Sequence, residues 1–132
     1  MATEDQIRTT VAAYVDAYAT NDRAAFLALW AADGTLEDPV GTPVHVGTDA
    51  LGKFWDGARE LADRIVLKAQ SVIVAGGEAA MNFEINAHMG NAGLVMQAVD
   101  IMNFDDDAKL TSVRAYWDMG SATPLAAGPN AH

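Results

Sequence analysis

The sequence predicts one α+β domain in which three amino-terminal helices cover the concave face of a curved antiparallel sheet. The helices follow from apolar residues that recur every three or four positions over roughly the first 60 residues. The strands follow from alternation of apolar and polar residues after residue 63. The chain has 132 residues, which is the size of one small domain. We therefore expect the helices and the sheet to pack around one common core. We expect the domain to span residues 1–120 and residues 121–132 to form a loosely ordered tail.

The first predicted helix covers residues 4–19. Its apolar side chains, with Tyr14 among them, lie three and four positions apart and therefore share one face, which we expect to point inward. Thr3 precedes this pattern and Gln6 follows three residues later, which is the arrangement of a capping box.

Two more helices are predicted before the strands begin. After a short polar break the helical spacing resumes and runs through Trp30 to residue 33, which predicts a helical hairpin. Residues 35–47 contain two prolines and two glycines, so we expect short extended pieces and turns there. Thr48 is expected to cap a third helix that ends near Arg59.

Four antiparallel strands are predicted beyond residue 63, with breaks at residues 75–77, 90–93 and 105–107. In the last three strands one row of side chains is apolar and the other is largely polar or variable. This alternation is typical of a sheet with one face on a core and one face in water.

Asp100 is the single acid that interrupts these apolar rows. Apolar rows on neighbouring strands must lie on the same face of the sheet, which limits the register. A four-residue loop at 90–93 then places Phe83 opposite Asp100. On the other side, Val113 or Ala115 is expected beside the same carboxyl group.

Composition excludes several classes of function. The formal net charge is −10, with 8 Lys and Arg against 18 Asp and Glu, so nucleic acid and anionic membranes are not expected as partners. The chain has no cysteine, which excludes disulfides, thiol catalysis and Cys-ligated zinc. No apolar signal core or membrane span is present, and we expect a soluble cytoplasmic protein.

No metal or cofactor is expected either. His45 and His88 are far apart in the predicted topology, and no pair of histidines has the spacing of metal ligands. The acidic run 105–107 lacks the alternating ligands and the fixed glycine of a calcium loop, so it is interpreted as a solvated turn. No glycine-rich phosphate loop opens a helix.

Three residues suggest chemistry when they are taken together. A carboxyl group on an apolar face loses hydration of its charged form, so we expect Asp100 to stay protonated and to act as a hydrogen-bond donor. Tyr14 offers a second neutral donor, and two donors in a dry pocket stabilise negative charge on a bound carbonyl oxygen. Asp38 precedes Pro39, which restricts it to extended geometry, and an ionised Asp38 would be a general base.

Each of these residues also has a structural interpretation. An aspartate before proline is commonly a turn former, and an inward tyrosine is commonly a core residue. A strand aspartate often pairs with a nearby arginine, here Arg114.

The sequence resembles the bacterial Δ5-3-ketosteroid isomerases, within the NTF2-like, SnoaL-like superfamily. Tyr14, the run GTLEDPVGTPVHVGTDAL with Asp38, and the run VDIMNFDDDAKLTSVRAYW with Asp100 carry the resemblance, which covers roughly residues 5–120. The resemblance implies a cone-shaped fold, a homodimer and a cofactor-free shift of a steroid double bond from Δ5 to Δ4. A protonated aspartate in an oxyanion hole is an established property of that family.

The resemblance also implies roles for individual residues. Asp38 would remove the C4 proton of a small apolar ketosteroid and return it at C6, while Tyr14 and Asp100 would hold the dienolate oxygen. Trp117 would form an aromatic wall, although core packing is its alternative. Family members surround the oxyanion tyrosine with further tyrosines, and the matching positions here are Trp30 and Trp55, so the tuning of Tyr14 would differ. Further apolar lining is expected from Val40, Phe54, Phe83, Met102 and Val113.

Two other functions fit the same sequence features. One is a hydrolase, lyase or cyclase on the same scaffold, such as an epoxide hydrolase or a polyketide cyclase, with Asp38 and Asp100 as its acid/base pair. The other is a non-catalytic steroid or lipid carrier, in which Asp38 would be dispensable. For the homodimer, exposed apolar residues such as Val72, Val74 and Leu94 could supply an interface on the outer sheet face.

Overall fold

The structure is a computed structural model that describes residues 1–125. Its helices are α1 (Glu4–Thr20), α2 (Arg23–Ala28) and α3 (Gly47–Leu61), with a short 3-10 helix at Met119–Ser121. Its strands are β1 (Trp30–Glu37), β2 (His45–Val46), β3 (Arg64–Ala75), β4 (Glu78–Met89), β5 (Ala92–Phe104), β6 (Leu110–Tyr116) and β7 (Thr123–Pro124). The predicted α+β class, with three helices on a curved sheet, is confirmed.

The seven strands form one open sheet in the order β2-β1-β6-β5-β4-β3, with β7 paired to β5. All pairs are antiparallel except β1 with β6, which run parallel. The four predicted strands, β3 to β6, pair antiparallel as expected, whereas the whole sheet is mixed because β1, which was not predicted as a strand, runs parallel to β6. A parallel pair requires a long connection, and the chain between β1 and β6 contains a helix and three long strands.

The first helix has the predicted ends within one residue. The Thr3 hydroxyl accepts a hydrogen bond from the Gln6 backbone N–H at 3.1 Å, and the Gln6 side chain accepts one from the Thr3 backbone N–H at 2.8 Å. Asn21 ends the helix in a left-handed conformation, with φ of 53°. The capping box is confirmed.

The second and third helices differ from their predictions. Helix α2 ends at Ala28, and Trp30 begins a strand instead of continuing the helix. The reason is tertiary, because Leu110 donates a backbone hydrogen bond to the Leu29 carbonyl at 2.8 Å and draws this segment onto β6. Helix α3 begins at Gly47 after Val46, with no side-chain cap, so the predicted Thr48 cap is also wrong.

The register of the β4–β5 hairpin is shifted by two residues from the prediction. Met89 pairs with Ala92 rather than with Leu94, because the loop has two residues and not four. Asp100 consequently lies opposite Met81, and Phe83 lies opposite Ala98. A shift of two keeps every side chain on its predicted face, so Asp100 still points to the concave side.

On the other edge of β5, Ala115 lies directly beside Asp100, as one of the two predicted registers requires. The apolar rows of β4, β5 and β6 therefore meet on one face, and helices α1 and α3 pack against the sheet. The buried core lies between these layers.

The residues predicted to form an outer dimer surface lie elsewhere. Val72 and Val74 pack against the core, and Leu94 lines an internal cavity. Their assignment to an exposed outer face is wrong, and the homodimer itself stays a prediction.

Residues 121–125 are attached to the sheet through β7, which pairs with Leu94 and Val95. The rest of the predicted tail, residues 126–132, lies outside the described residues. Within residues 1–125 no helix is long and apolar enough to cross a membrane.

Candidate active site

A cavity of about 680 Å³ lies between the helices and the concave face of the sheet. Its walls are mostly hydrocarbon from α3 and from strands β3, β4 and β5. Polar side chains reach it at only a few positions, and these are Tyr14, Tyr18, Asp38, His45, Lys53 and Asp100. Such a cavity suits an apolar ligand that carries few polar atoms.

Asp100 is buried in the sheet, with a residue exposure of 2%. Its Oδ1 atom is buried and has no hydrogen-bond partner among the described residues. Burial raises the pKa of this carboxyl group well above its ordinary value, and the nearby charge of Asp38 raises it further. Both effects favour the protonated form of Asp100, in which the carboxyl group can donate a hydrogen bond.

Asp38 follows β1 and is partly buried beside the cavity. The loop is held to β6, because the Val40 backbone N–H donates to the Ala115 carbonyl at 2.8 Å. The Trp117 indole Nε1–H donates to Asp38 Oδ1 at 2.6 Å. The pKa of Asp38 is raised on balance, because burial outweighs the Trp117 hydrogen bond and the charge of His45, which both lower it.

Tyr14 and Tyr18 lie one turn apart on α1, and both line the cavity. Their exposures are 2% and 5%, and their ring centroids are 5.4 Å apart. Burial is the largest cause that raises the pKa of both phenols, so both hydroxyls are neutral at physiological pH. The sequence analysis did not single out Tyr18 as a site residue. Its spacing of four from Tyr14 was the available signal.

The two tryptophans assigned to the surroundings of Tyr14 pack one layer away. The Trp55 ring lies 4.6 Å from Phe26 and 4.9 Å from Tyr18, and the Trp30 ring lies 5.8 Å from Phe26. The aromatic rings that contact Tyr14 within residues 1–125 are Tyr18 and Phe26. The resemblance implied that Trp30 and Trp55 stand where other family members have the tyrosines that tune Tyr14. In the described residues neither indole is an aromatic neighbour of Tyr14, and the polar neighbour on the same helix face is Tyr18.

Some of the residues predicted to form the apolar lining do line the cavity, and others do not. Phe54, Phe83 and Trp117 line the cavity. Met102 and Val113 are paired neighbours in the buried core and are not among the residues that line the cavity. Val40 borders a separate small depression with Tyr116 and Asp118, and so does not line the main cavity either. Apolar lining residues that the sequence analysis missed include Ile65, Leu67, Ile85 and Met96.

Two basic side chains lie at the cavity, and neither was assigned a role from the sequence. His45 packs edge-on against Phe54, with ring centroids 5.2 Å apart, and Lys53 is exposed on α3. In the described part of the chain no three His, Asp or Glu side chains are arranged to hold a metal ion.

The sequence model of the SnoaL-like domain matches residues 11–113. The chain belongs to the SnoaL-like domain family. It is 36% identical over 118 residues to a protein of Nocardioides simplex named steroid Delta-isomerase, and the match covers 87% of this chain and 92% of that protein. The resemblance stated from the sequence is confirmed at the level of this family and relative.

Three solved structures of low sequence identity share the fold of this chain. The Mycobacterium tuberculosis protein RV0760c superposes with a TM-score of 0.84 at 21% identity, covering 94% of this chain and 99% of that chain. SalBIII, described as an epoxide hydrolase/cyclase-like enzyme in pyran ring formation in the polyether salinomycin, has a TM-score of 0.83 at 21% identity, with 92% and 98% covered. A computationally designed 17-OHP binder has a TM-score of 0.80 at 20% identity, with 90% and 95% covered.

Proposed function

We propose that the protein is a cofactor-free steroid Δ-isomerase that moves a Δ5 double bond into conjugation with a 3-ketone. The observation that carries the proposal is that one apolar cavity contains two acids in different environments. Asp38 is held by an indole hydrogen bond, whereas Asp100 has a buried oxygen without a partner. The similarity to the Nocardioides simplex steroid Delta-isomerase supports a ketosteroid as the substrate class.

The two acids take different roles because of their environments. A single negative charge in the cavity is more stable on Asp38, since Trp117 donates to it and His45 lies nearby. That charge disfavours a second one on Asp100, whose pKa burial has already raised. Asp38 is then the base, and Asp100 keeps its proton as a donor.

The proposed reaction conserves all atoms of the substrate. The Asp38 carboxylate takes a proton from C4, and the electrons of that C–H bond form a dienolate with negative charge on the C3 oxygen. Tyr14 and Asp100 donate hydrogen bonds to this oxygen without transferring their protons. Asp38 then returns its proton to C6, so the 3-ketone and a conjugated C4–C5 double bond are formed.

The assay is incubation with 5-androstene-3,17-dione while the ultraviolet absorbance of the conjugated enone is followed. We expect the absorbance to rise with the wild-type protein, and Asp38→Asn to lower kcat by about 10²- to 10⁴-fold, because the proton shuttle is removed. Asp16→Asn is the matched control, since Asp16 is exposed on α1 and outside the cavity. No rise with the wild type, or equal rises with wild type and Asp38→Asn, contradicts the proposal.

A further inference from the structure

Tyr18 is placed to act on Tyr14. The two side chains are four residues apart on the inward face of α1, are both buried, and both reach the cavity. Their ring centroids are 5.4 Å apart. The interaction with Tyr18 raises the pKa of Tyr14 and the interaction with Tyr14 lowers that of Tyr18, although burial is the larger cause for both phenols.

Arg59, on α3, contacts Tyr18. Its guanidinium carbon lies 5.9 Å from the Tyr18 ring centroid and 4.6 Å from the Trp55 ring centroid. Its Nη2 donates to the Tyr18 backbone carbonyl at 3.0 Å, which fixes the cation against this turn of α1. Its Nε and Nη1 atoms are buried and have no hydrogen-bond partner among the described residues.

This cation is not neutralised by a carboxylate in the described part of the chain. The ion pairs there belong to other basic groups, namely the amino terminus, Arg8, Arg23 and Arg114. A positive charge that has no carboxylate partner and lies over an aromatic ring favours negative charge on that ring. The charge of Arg59 accordingly lowers the pKa of Tyr18, against the larger effect of burial.

We propose that Tyr18, with Arg59 packed against it, is a positioning residue that strengthens the hydrogen bond from Tyr14 to the oxyanion. When the substrate oxygen becomes negative, Tyr14 turns its O–H to that oxygen and Tyr18 turns its O–H to Tyr14. No proton leaves either residue, and two neutral donors in series spread the negative charge toward the cation. The inference rests on the proposed function, since it assigns a residue to that same site.

A purely structural role for Tyr18 is the alternative, because its ring also packs on Phe26 and Trp55. The substitution Tyr18→Phe keeps the ring and removes only the hydroxyl. We expect kcat for 5-androstene-3,17-dione to fall about tenfold with KM changed less than twofold, because the hydrogen bond acts in the transition state. Arg59→Met keeps an apolar side chain and removes the charge, and we expect it to lower kcat as Tyr18→Phe does.

The control is Tyr116→Phe. Tyr116 also has an arginine over its ring, with Arg114 at 5.6 Å, but it is 43% exposed and does not line the main cavity. This variant is expected to keep the wild-type kcat. A double variant of Tyr18→Phe with Arg59→Met is expected to lose less activity than the product of the single losses, since both act through one hydroxyl.

A spectroscopic measurement separates a positioning role from a packing role. Equilenin is a fluorescent steroidal naphthol whose neutral and ionised forms emit differently, and in the Asp38→Asn background it reports how well the site stabilises an oxyanion. We expect Tyr18→Phe to lower the ionised fraction of bound equilenin, while Tyr116→Phe leaves it unchanged.

The inference is overturned if the wild type isomerises the steroid but Tyr18→Phe has wild-type kcat, or if kcat falls without any change in equilenin ionisation. The proposed function fails in a different way, through a wild-type protein that produces no conjugated enone. The two failures are therefore distinguishable within the same set of proteins.

Discussion

The buried Asp100 carboxyl is the least satisfied polar group of the cavity. An atom such as its Oδ1, which has no partner within residues 1–125, normally costs free energy in a folded protein. The cost is smaller if the group stays protonated, and a bound ketone oxygen would supply the missing partner. A group that is destabilising in the empty protein is therefore suited to binding the substrate oxygen.

Substitutions of Asp100 test its role as a donor. Asp100→Leu removes the donor and is expected to lower kcat by about 10²- to 10³-fold, the usual effect of losing one oxyanion contact. Asp100→Asn keeps an N–H donor of similar shape and is expected to lose about tenfold or less. Steady-state kinetics of both variants with 5-androstene-3,17-dione measures the difference. Similar losses would contradict the donor role.

At the level of single residues, the sequence predicted Tyr14, Asp38 and Asp100, and all three line one cavity. It missed Tyr18 because helical spacing identifies an inward face but does not separate residues of the core from residues at a cavity. It assigned Met102 and Val113 to the lining because a row of a strand shows which face a side chain takes, and not how far the cavity extends.

The hairpin between β4 and β5 sets the register of the two strands, and so determines which residue of β4 lies opposite Asp100. Its turn consists of Gly90 and Asn91, and Gly90 has φ of 61°, which is the left-handed region. A residue with a Cβ atom is disfavoured in this conformation. Turn length therefore decides which residues of β4 lie beside the acid.

Two glycine substitutions with opposite expected effects test this argument. Gly90→Ala is expected to lower the free energy of unfolding by about 1 kcal/mol or more, because alanine is strained at positive φ. Gly57→Ala, inside α3, is expected to raise it by about 0.5 to 1 kcal/mol, since alanine favours the helix. A Cβ atom meets nothing within 4 Å at either position, so no steric clash enters the comparison. Urea unfolding measures both, and a stabilising Gly90→Ala would contradict the assignment of the turn.

The stability of the whole protein should depend on pH through Asp100. Its pKa is raised in the folded state, so the folded protein holds this proton more tightly than the unfolded chain. Below the ordinary aspartate pKa of about 3.9 the group is protonated in both states and carries no penalty. As pH rises, the unfolded chain loses the proton first, and stability falls until the folded pKa is reached.

Asp100→Asn removes this penalty without changing the size of the side chain. We expect the variant to be more stable than the wild type at pH 7, by about 1.4 kcal/mol for each unit by which the folded pKa is raised, counted no further than pH 7. The difference in the free energy of unfolding between variant and wild type should decrease as pH falls and become constant near pH 4 and below. Urea unfolding across this range measures it, and Asp100→Leu should show the same pH dependence with a different offset. A difference that does not vary with pH would show that Asp100 is ionised in the folded protein.

The sequence alone determined that three helices precede four long strands, on which face of the sheet Asp100 lies, and which three residues carry the proposed chemistry. These features depend on the spacing of residues within one segment. That spacing is the same in any strand register that keeps the apolar rows on one face. Only the tertiary structure decided that Trp30 begins a strand, that β1 runs parallel to β6, and that Arg59 lies against Tyr18. These features join segments about 40 to 80 residues apart, and their energies come from long-range packing and hydrogen bonds that no local pattern contains.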